Sequence, residues 1–124
     1  MRGRAGLLVL AVVAVAVIGP LAYQLFHHSG QPAEHRTFVL TVRGHTMTPA
    51  KLVAYGGDTI TIEVSADRTE EVHLHGYNFF FDMAPGETQV KTFPADKDGA
   101  FTIEIEGSSL TNGIYLGELD VYPR

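Results

Sequence analysis

Three stretches of this 124-residue chain alternate apolar and polar side chains with a period of two. Such alternation is typical of β-strands that bury one face in a core and leave the other face in solvent. In "TITIEV", the apolar face consists of Ile60, Ile62 and Val64. The segments "AFTIEIE" at 100–106 and "TFVLTVR" at 37–43 follow the same pattern. The pattern therefore predicts that the body of the chain is all-β.

Shorter segments with the composition of strands occupy much of the remaining body. They are 51–55, 71–75, 78–82, 88–93 and 116–122. Turn sequences rich in glycine, proline and aspartate separate them, such as "GGD" at 56–58, "APGE" at 84–87 and "DKDG" at 96–99. Between 37 and 124 we find neither a sustained 3.6-residue period nor an internal repeat. About eight short strands predict two packed antiparallel sheets with Greek-key connections, which is a β-sandwich.

The first 26 residues have the character of a membrane segment. Residues 5–26 carry no charge and follow the basic start "MRGR". As a helix this segment rises roughly 33 Å, about the thickness of a bilayer hydrocarbon core. It predicts a single-pass anchor with cytoplasmic arginines. A cleaved signal peptide with its apolar stretch at 7–18 is the alternative. Both interpretations place the polar linker at 27–36 and the domain at 37–124 outside the cytoplasm.

Charge and cysteine content exclude several classes of function. The chain has a formal net charge of −5, and its acidic residues all lie beyond position 30. An acidic body repels phosphate backbones, so we expect no nucleic-acid partner. The absence of cysteine excludes disulfides, thiolate nucleophiles, thiolate zinc sites and iron–sulfur clusters. It also excludes a blue-copper centre, which requires a cysteine sulfur.

Four segments in succession resemble a cupredoxin-like domain: "LVAYGGDTITIEVSAD", "EVHLHGYNF", "MAPGETQVKTFPADKDGAFTIEIEG" and "LGELDVYP". The resemblance is to plastocyanin-like modules related to cytochrome oxidase subunit II and to the cupredoxin domain of EfeO iron-uptake proteins. It implies a Greek-key β-sandwich and places His75, in "HGY", at the position of the first copper ligand. In the family, the loop between the last two strands supplies Cys, His and often Met. Here that loop, "GSSLTNGIYL" at 107–116, contains none of them, so the resemblance also excludes blue-copper electron transfer.

The histidine pair is the candidate metal site. His73 and His75 are two residues apart, so on a strand both project from the same face. Two imidazoles at this spacing can chelate one Cu(II) or Zn(II), and copper is the first choice. Glu71 is the candidate third ligand, and Tyr77 shares this face if the strand continues past Gly76. Further contributors that the sequence does not position are Asp82, Met83, Glu104, Glu106, His45 and Met47.

The alternative interpretation of the pair requires no metal. Alternation predicts that Val72 and Leu74 point inward and that the two histidines lie on a solvated strand face. The aromatic run at 77–81 has two interpretations of its own. It forms a strand packed between a sheet and a loop, or an exposed patch beside the histidines that docks a partner protein.

The sequence contains no nucleophile elbow, no "HExxH" helix and no glycine-rich phosphate loop, so we predict no enzyme activity. Together these features predict an exported, membrane-anchored accessory protein that binds or hands over copper through a His-x-His pair. A metal-free interaction module with the same fold is the alternative.

Overall fold

A computed structural model of the chain describes residues 31–107 and 112–124. The predicted membrane segment at 5–26 and the first four residues of the predicted linker, 27–30, lie outside these residues. Within the described ranges, no helix is long and apolar enough to cross a membrane.

The prediction of an all-β body is confirmed. Eight of the strands in the described residues coincide, to within a few residues at each end, with the eight predicted from alternation and turns. The additional strand, β2, has three residues and is too short to show alternation. The strands are β1 (His35–Arg43), β2 (Thr46–Thr48), β3 (Lys51–Tyr55), β4 (Thr59–Ala66), β5 (Glu70–Leu74), β6 (Phe79–Met83), β7 (Thr88–Pro94), β8 (Gly99–Ile105) and β9 (Ile114–Tyr122).

The strands form two sheets, with the orders β2-β1-β4-β7 and β3-β9-β8-β5-β6. The apolar residues of the alternating stretches are buried or, at Phe38 and Phe101, partly buried against the core. Ile60, Ile62 and Val64 of β4 are no more than 1% exposed. Leu52 and Leu119 of the five-stranded sheet are equally buried. The two apolar faces therefore pack against each other as the predicted β-sandwich.

The expectation of purely antiparallel sheets is wrong at one pair in each sheet. Strand β1 runs parallel to β4, and β3 runs parallel to β9. The chain leaves β1 and β2, passes through β3 in the other sheet, and returns to place β4 beside β1. Such a crossover joins parallel neighbours, whereas a hairpin joins antiparallel ones. Alternation within a strand carries no information on this direction.

The outer face of the five-stranded sheet holds the candidate site. Its strand β5 lies between β8 and β6 and is antiparallel to both. The register sets His73 opposite Glu104 of β8 and opposite Phe80 of β6. Residues directly opposite across neighbouring strands share a face of the sheet. These three side chains therefore form one row across three strands.

Candidate metal centre

Strand β5 fixes the face from which the histidines project. Val72 and Leu74 are buried in the core at 0% and 1% exposure. His73 lies between them and so projects from the outer face. His75 directly follows the strand, and its amide donates to the carbonyl of Thr102 at 2.9 Å, which extends the pairing with β8. Both imidazoles thus share the outer face, and their ring centroids are 4.2 Å apart.

The turn at Gly76 ends this arrangement. Gly76 has a φ of 79°, and a Cβ there would lie 2.2 Å from the ring of Phe101. Glycine is therefore required both by the backbone conformation and by the close approach of the ring. After the turn, the ring of Tyr77 packs 4.9 Å from the rings of Phe93 and Phe101. Tyr77 does not continue the histidine face, because the strand ends before Gly76.

The imidazole of His73 is enclosed without hydrogen bonds. Its ring stacks on Phe80 with a centroid distance of 4.1 Å and an interplanar angle of 7°. The side chain is only 10% exposed. Nδ1 lies 3.2 Å from Oε2 of Glu106, but in an orientation that forms no hydrogen bond, and Nε2 has no partner either. A buried polar nitrogen without a partner costs about 1–3 kcal/mol. A lone pair on this ring is therefore free to bind a cation.

His75 and Glu104 complete a three-residue group with His73. Nε2 of His75 donates a hydrogen bond to Oε1 of Glu104 at 2.7 Å. One ligand atom from each of the three residues lies within 4.8 Å of the other two. Ligands of one ion at bond lengths near 2 Å are roughly 3–4 Å apart. Small side-chain movements are therefore sufficient to close the group around a metal ion, and the donor set fits one.

The loop between β8 and β9 provides space for the carboxylate. A Cβ at Gly113 would lie 2.8 to 2.9 Å from the carboxylate atoms of Glu104. Glycine at this position therefore lets the loop backbone pass directly beside the Glu104 carboxylate. The described residues of the loop thus contribute room for a ligand and no ligand side chain. Gly113 could not be identified from the sequence, because nothing in the local sequence links it to a residue nine positions earlier.

Glu71 lies in the neighbouring row of the same face. It is opposite Asp82 of β6, and the amide of Glu106 donates to its carbonyl at 2.8 Å. A hydrogen bond with Asp82 raises the pKa of Glu71, as do burial and the nearby charges of Asp82 and Glu106. The structure therefore brings the two histidines together with Glu104, and Glu71 is outside that group.

The remaining candidates occupy other environments. Met47 and Met83 are buried in the core at 3% and 2% exposure. His45 lies in the turn between β1 and β2 and is exposed. His35 belongs to β1 of the four-stranded sheet, and its Nε2 lies 2.7 Å from Oγ1 of Thr61 on the adjacent β4. None of these four residues belongs to the three-residue group.

The aromatic run divides between the core and the surface, as alternation predicts. Phe81 is 2% exposed, and Phe79 packs its ring 4.8 Å from that of Phe93. Phe80 is 42% exposed on the outer face and covers His73. At the other end of this row, Tyr115 is 60% exposed and opposite Glu104. Exposed aromatic rings thus flank the His73–Glu104 pair on both sides.

Comparison with known proteins identifies the fold. No protein family and no curated protein matches the chain. An NMR structure of a copper binding protein in the apo form is similar with a TM-score of 0.56 and 15% identity, over 74% of this chain and 92% of that one. A chain in the cryo-EM structure of a heme-copper terminal oxidase dimer has the same TM-score and identity, over 97% of this chain and 99% of that one. The Cu-containing nitrite reductase NirK from Thermus scotoductus SA-01 is similar with a TM-score of 0.55 and 24% identity, over 74% of this chain and 28% of that one.

These similarities confirm the resemblance at the level of the fold. The domain is a cupredoxin-like β-sandwich. It shares this architecture with the copper binding protein, with a multi-copper oxidase from Pseudomonas Thermotolerans and with the Cu-containing nitrite reductase.

Proposed function

We propose that this protein is an exported, membrane-anchored accessory protein whose cupredoxin-like domain binds copper at His73, His75 and Glu104 and hands it to a partner. The observation that carries the proposal is the His73 ring. It is nine-tenths buried, and neither nitrogen forms a hydrogen bond, although His75 and Glu104 offer ligand atoms within 4.8 Å. A metal bond to this ring would compensate for the missing hydrogen bond.

The donor set suits Cu(II). Two imidazole nitrogens and a carboxylate oxygen favour Cu(II), with Zn(II) as the weaker competitor in the order of divalent affinities. Without cysteine, the protein is not a blue-copper electron carrier. Binding of copper through Nε2 of His75 would release the proton that this nitrogen donates to Glu104. The proposal therefore assigns copper binding and transfer, without an enzymatic reaction.

Exposure on one side supports exchange of the ion. The side chain of His75 is 45% exposed and that of Glu104 is 22% exposed. An ion bound there remains accessible to water and to the ligands of a second protein. Transfer by ligand exchange then needs no opening of the sandwich.

The proposed location rests on the uncharged segment at 5–26, which follows two arginines. Fractionation of cells that express the chain, followed by protease treatment of intact cells or spheroplasts, tests it. We expect a membrane-bound protein whose C-terminal domain is digested from outside the cytoplasm. Recovery of an undigested domain from the cytosol would contradict this location. The intact mass of the recovered protein separates an uncleaved anchor from a cleaved signal peptide.

A Cu(II) titration followed by calorimetry tests the binding site. We expect the wild type to bind one Cu(II) with micromolar or tighter affinity. In His73→Ala/His75→Ala this affinity should fall at least 100-fold. His45→Ala is the matched control, because it removes an exposed imidazole outside the group. Equal affinity of the wild type and the double variant would contradict the proposal.

A metal-free interaction module is the second candidate function. It is favoured by the hydrogen bond between His75 and Glu104, which already satisfies both groups, and by the exposure of Phe80 and Tyr115. Within the aromatic run at 77–81, the partner would contact Phe80. A photo-crosslinking residue at position 80 should then capture the partner in cells, whereas the same residue at exposed Tyr122 should not. Equal capture at both positions would contradict a docking surface for a specific partner around Phe80.

A further inference from the structure

We propose that the site holds copper as Cu(II) and that one-electron reduction to Cu(I) releases it. This inference rests on the proposed function and specifies how copper leaves the site. Three properties of the described residues support it, namely the absence of accessible sulfur, the negative charge around the imidazoles and the exposure of the ligands.

The first property is the lack of a soft ligand. Cu(I) prefers thiolate and thioether sulfur, whereas imidazole and carboxylate suit Cu(II). The chain has no cysteine. In the ranges that the structure describes, the methionines are Met47 and Met83, and both belong to the core between the sheets. Reduced copper in the site would therefore have only nitrogen and oxygen ligands.

The second property is the charge of the surrounding face. Glu104 is in the site, and Oε2 of Glu106 lies 3.2 Å from Nδ1 of His73. Glu71 and Asp82 form the adjacent row. Of the basic residues around this face, Lys51 pairs with Asp120 at 2.8 Å, and Nζ of Lys97 donates to the carbonyl of Gly76 at 2.8 Å. Because Coulomb attraction scales with the charge of the ion, these carboxylates stabilise Cu(II) more than Cu(I).

The third property is access for a reductant. His75 and Glu104 are partly exposed, whereas His73 is covered by Phe80. A small reductant can therefore reach the ion from the His75 side. The released Cu(I) can leave by the same side without a change in the fold.

The reduction is balanced by an external donor of the ascorbate class. An ascorbate monoanion gives one electron to Cu(II), loses one proton to the buffer and becomes the ascorbyl radical. The ion becomes Cu(I) and is taken up by a softer acceptor. His75 takes a proton from the solvent and again donates a hydrogen bond to Glu104.

Two equilibrium competitions with the 124-residue chain test the inference. Nitrilotriacetate competes for Cu(II), and bicinchoninate competes for Cu(I) without oxygen. We expect the wild type to bind Cu(II) at least 100-fold more tightly than Cu(I). For a one-electron couple this ratio lowers the potential of bound copper by about 120 mV relative to the free ions. The double variant His73→Ala/His75→Ala is the control that measures how much copper binds elsewhere in the chain.

A soft ligand at position 104 gives the matched variant. Glu104→Met should narrow the ratio of Cu(II) to Cu(I) affinity at least tenfold, because it replaces a charged oxygen ligand with a thioether. Glu104→Gln keeps an oxygen and should lower Cu(II) affinity without a gain in Cu(I) affinity.

The outcomes separate the two proposals. A wild-type Cu(I) affinity within tenfold of the Cu(II) affinity would overturn the release mechanism and leave copper binding intact. An unchanged ratio in Glu104→Met would also overturn it. If neither ion binds the wild type more tightly than His73→Ala/His75→Ala, the proposed function and this inference both fail.

Discussion

At the scale of single residues, the site depends on how the ring of His73 is held. An imidazole that ligates a metal usually donates its second nitrogen to a carboxylate or carbonyl, which fixes the orientation of the ring. In this protein neither nitrogen has such a partner. The parallel stack on Phe80 and the contact with His75 fix the ring instead. Aromatic pairs of this kind contribute about 0.5–1.5 kcal/mol beyond the area that they bury.

Gly113 gives a prediction at the same scale. In Gly113→Ala, the new Cβ would displace the Glu104 carboxylate from its position beside His75. The carboxylate is the end of a flexible side chain, so the fold should tolerate this movement. We expect Cu(II) affinity to fall about tenfold, as for other changes that disturb the orientation of a ligand. Stability to urea should change by less than about 1 kcal/mol.

Asn112→Ala is the control for this variant, because it changes an exposed residue of the same loop. Its Cu(II) affinity should equal that of the wild type. Unchanged affinity in Gly113→Ala would mean that Glu104 is not a ligand.

The sequence predicts only the local part of the site. The spacing of His73 and His75 within one strand is sufficient to place both on one face. Glu104 and Gly113 are brought to them by the pairing of β8 with β5 and by the path of a loop. Such long-range register is set by packing of the whole sheet, so the sequence alone offers Glu104 only as one of several possible ligands without a position.

At the scale of elements, the turn after β5 has a strict requirement for glycine. Gly76→Ala would place a Cβ 2.2 Å from the Phe101 ring, on a backbone with φ near 79°. The left-handed conformation costs about 1–2 kcal/mol for a residue with a side chain, and overpacking adds about 1–3 kcal/mol. Together these costs predict a loss of about 2–5 kcal/mol in the free energy of unfolding, measured by urea titration.

Gly86→Ala is a matched control for the turn. Gly86 has nearly the same φ, 80°, but a Cβ there meets no atom within 4 Å. Its substitution should therefore lower stability only by the cost of the left-handed backbone, about 1–2 kcal/mol. Equal losses in the two variants would show that the Phe101 ring does not restrict the turn.

Most elements of the fold could be predicted from alternation. The period of two identifies β1, β4 and β8 because each buries one face, and turn residues mark the ends of the shorter strands. Strand β2 could not be predicted, because three residues are too few to show an alternation of apolar and polar side chains. The direction of strand pairing could not be predicted either, because a parallel partner is selected by the path of the chain between sheets, as for β1 and β4.

At the scale of the whole molecule, the carboxylate of Asp58 joins distant parts of the chain. It is fully buried. It accepts hydrogen bonds from the amide of Glu34 at 2.9 Å, the amide of Tyr55 at 3.0 Å and Nε of Arg36 at 2.5 Å. Arg124, beyond β9, pairs with the same carboxylate. One side chain thus links β1 and β4 of one sheet to β3 and the segment after β9 of the other.

This network predicts the response of stability to acid. Burial raises the pKa of Asp58, but the hydrogen bonds of Glu34, Arg36 and Tyr55 together outweigh it and lower the pKa from 3.8 to about 2. The folded state therefore binds the proton less readily than the unfolded state. The resulting stabilisation is fully present above about pH 4 and is lost as the pH falls through 2.

Asp58→Asn tests this prediction. The variant removes the buried negative charge that Arg36 and Arg124 contact. From the lowered pKa of Asp58 we expect a loss of about 2–3 kcal/mol near neutral pH. The difference in unfolding free energy between wild type and variant should shrink between pH 4 and pH 2, as measured by urea unfolding across this range. A difference that does not depend on pH would contradict the assigned pKa.

The most direct test of the copper proposal is pulsed EPR of the 124-residue chain loaded with one equivalent of Cu(II). The account predicts one dominant species coupled to the nitrogens of two imidazoles. Each of the single variants, His73→Ala and His75→Ala, should reduce the coupling to one imidazole. A spectrum that is the same in the wild type and in His73→Ala/His75→Ala would contradict the account.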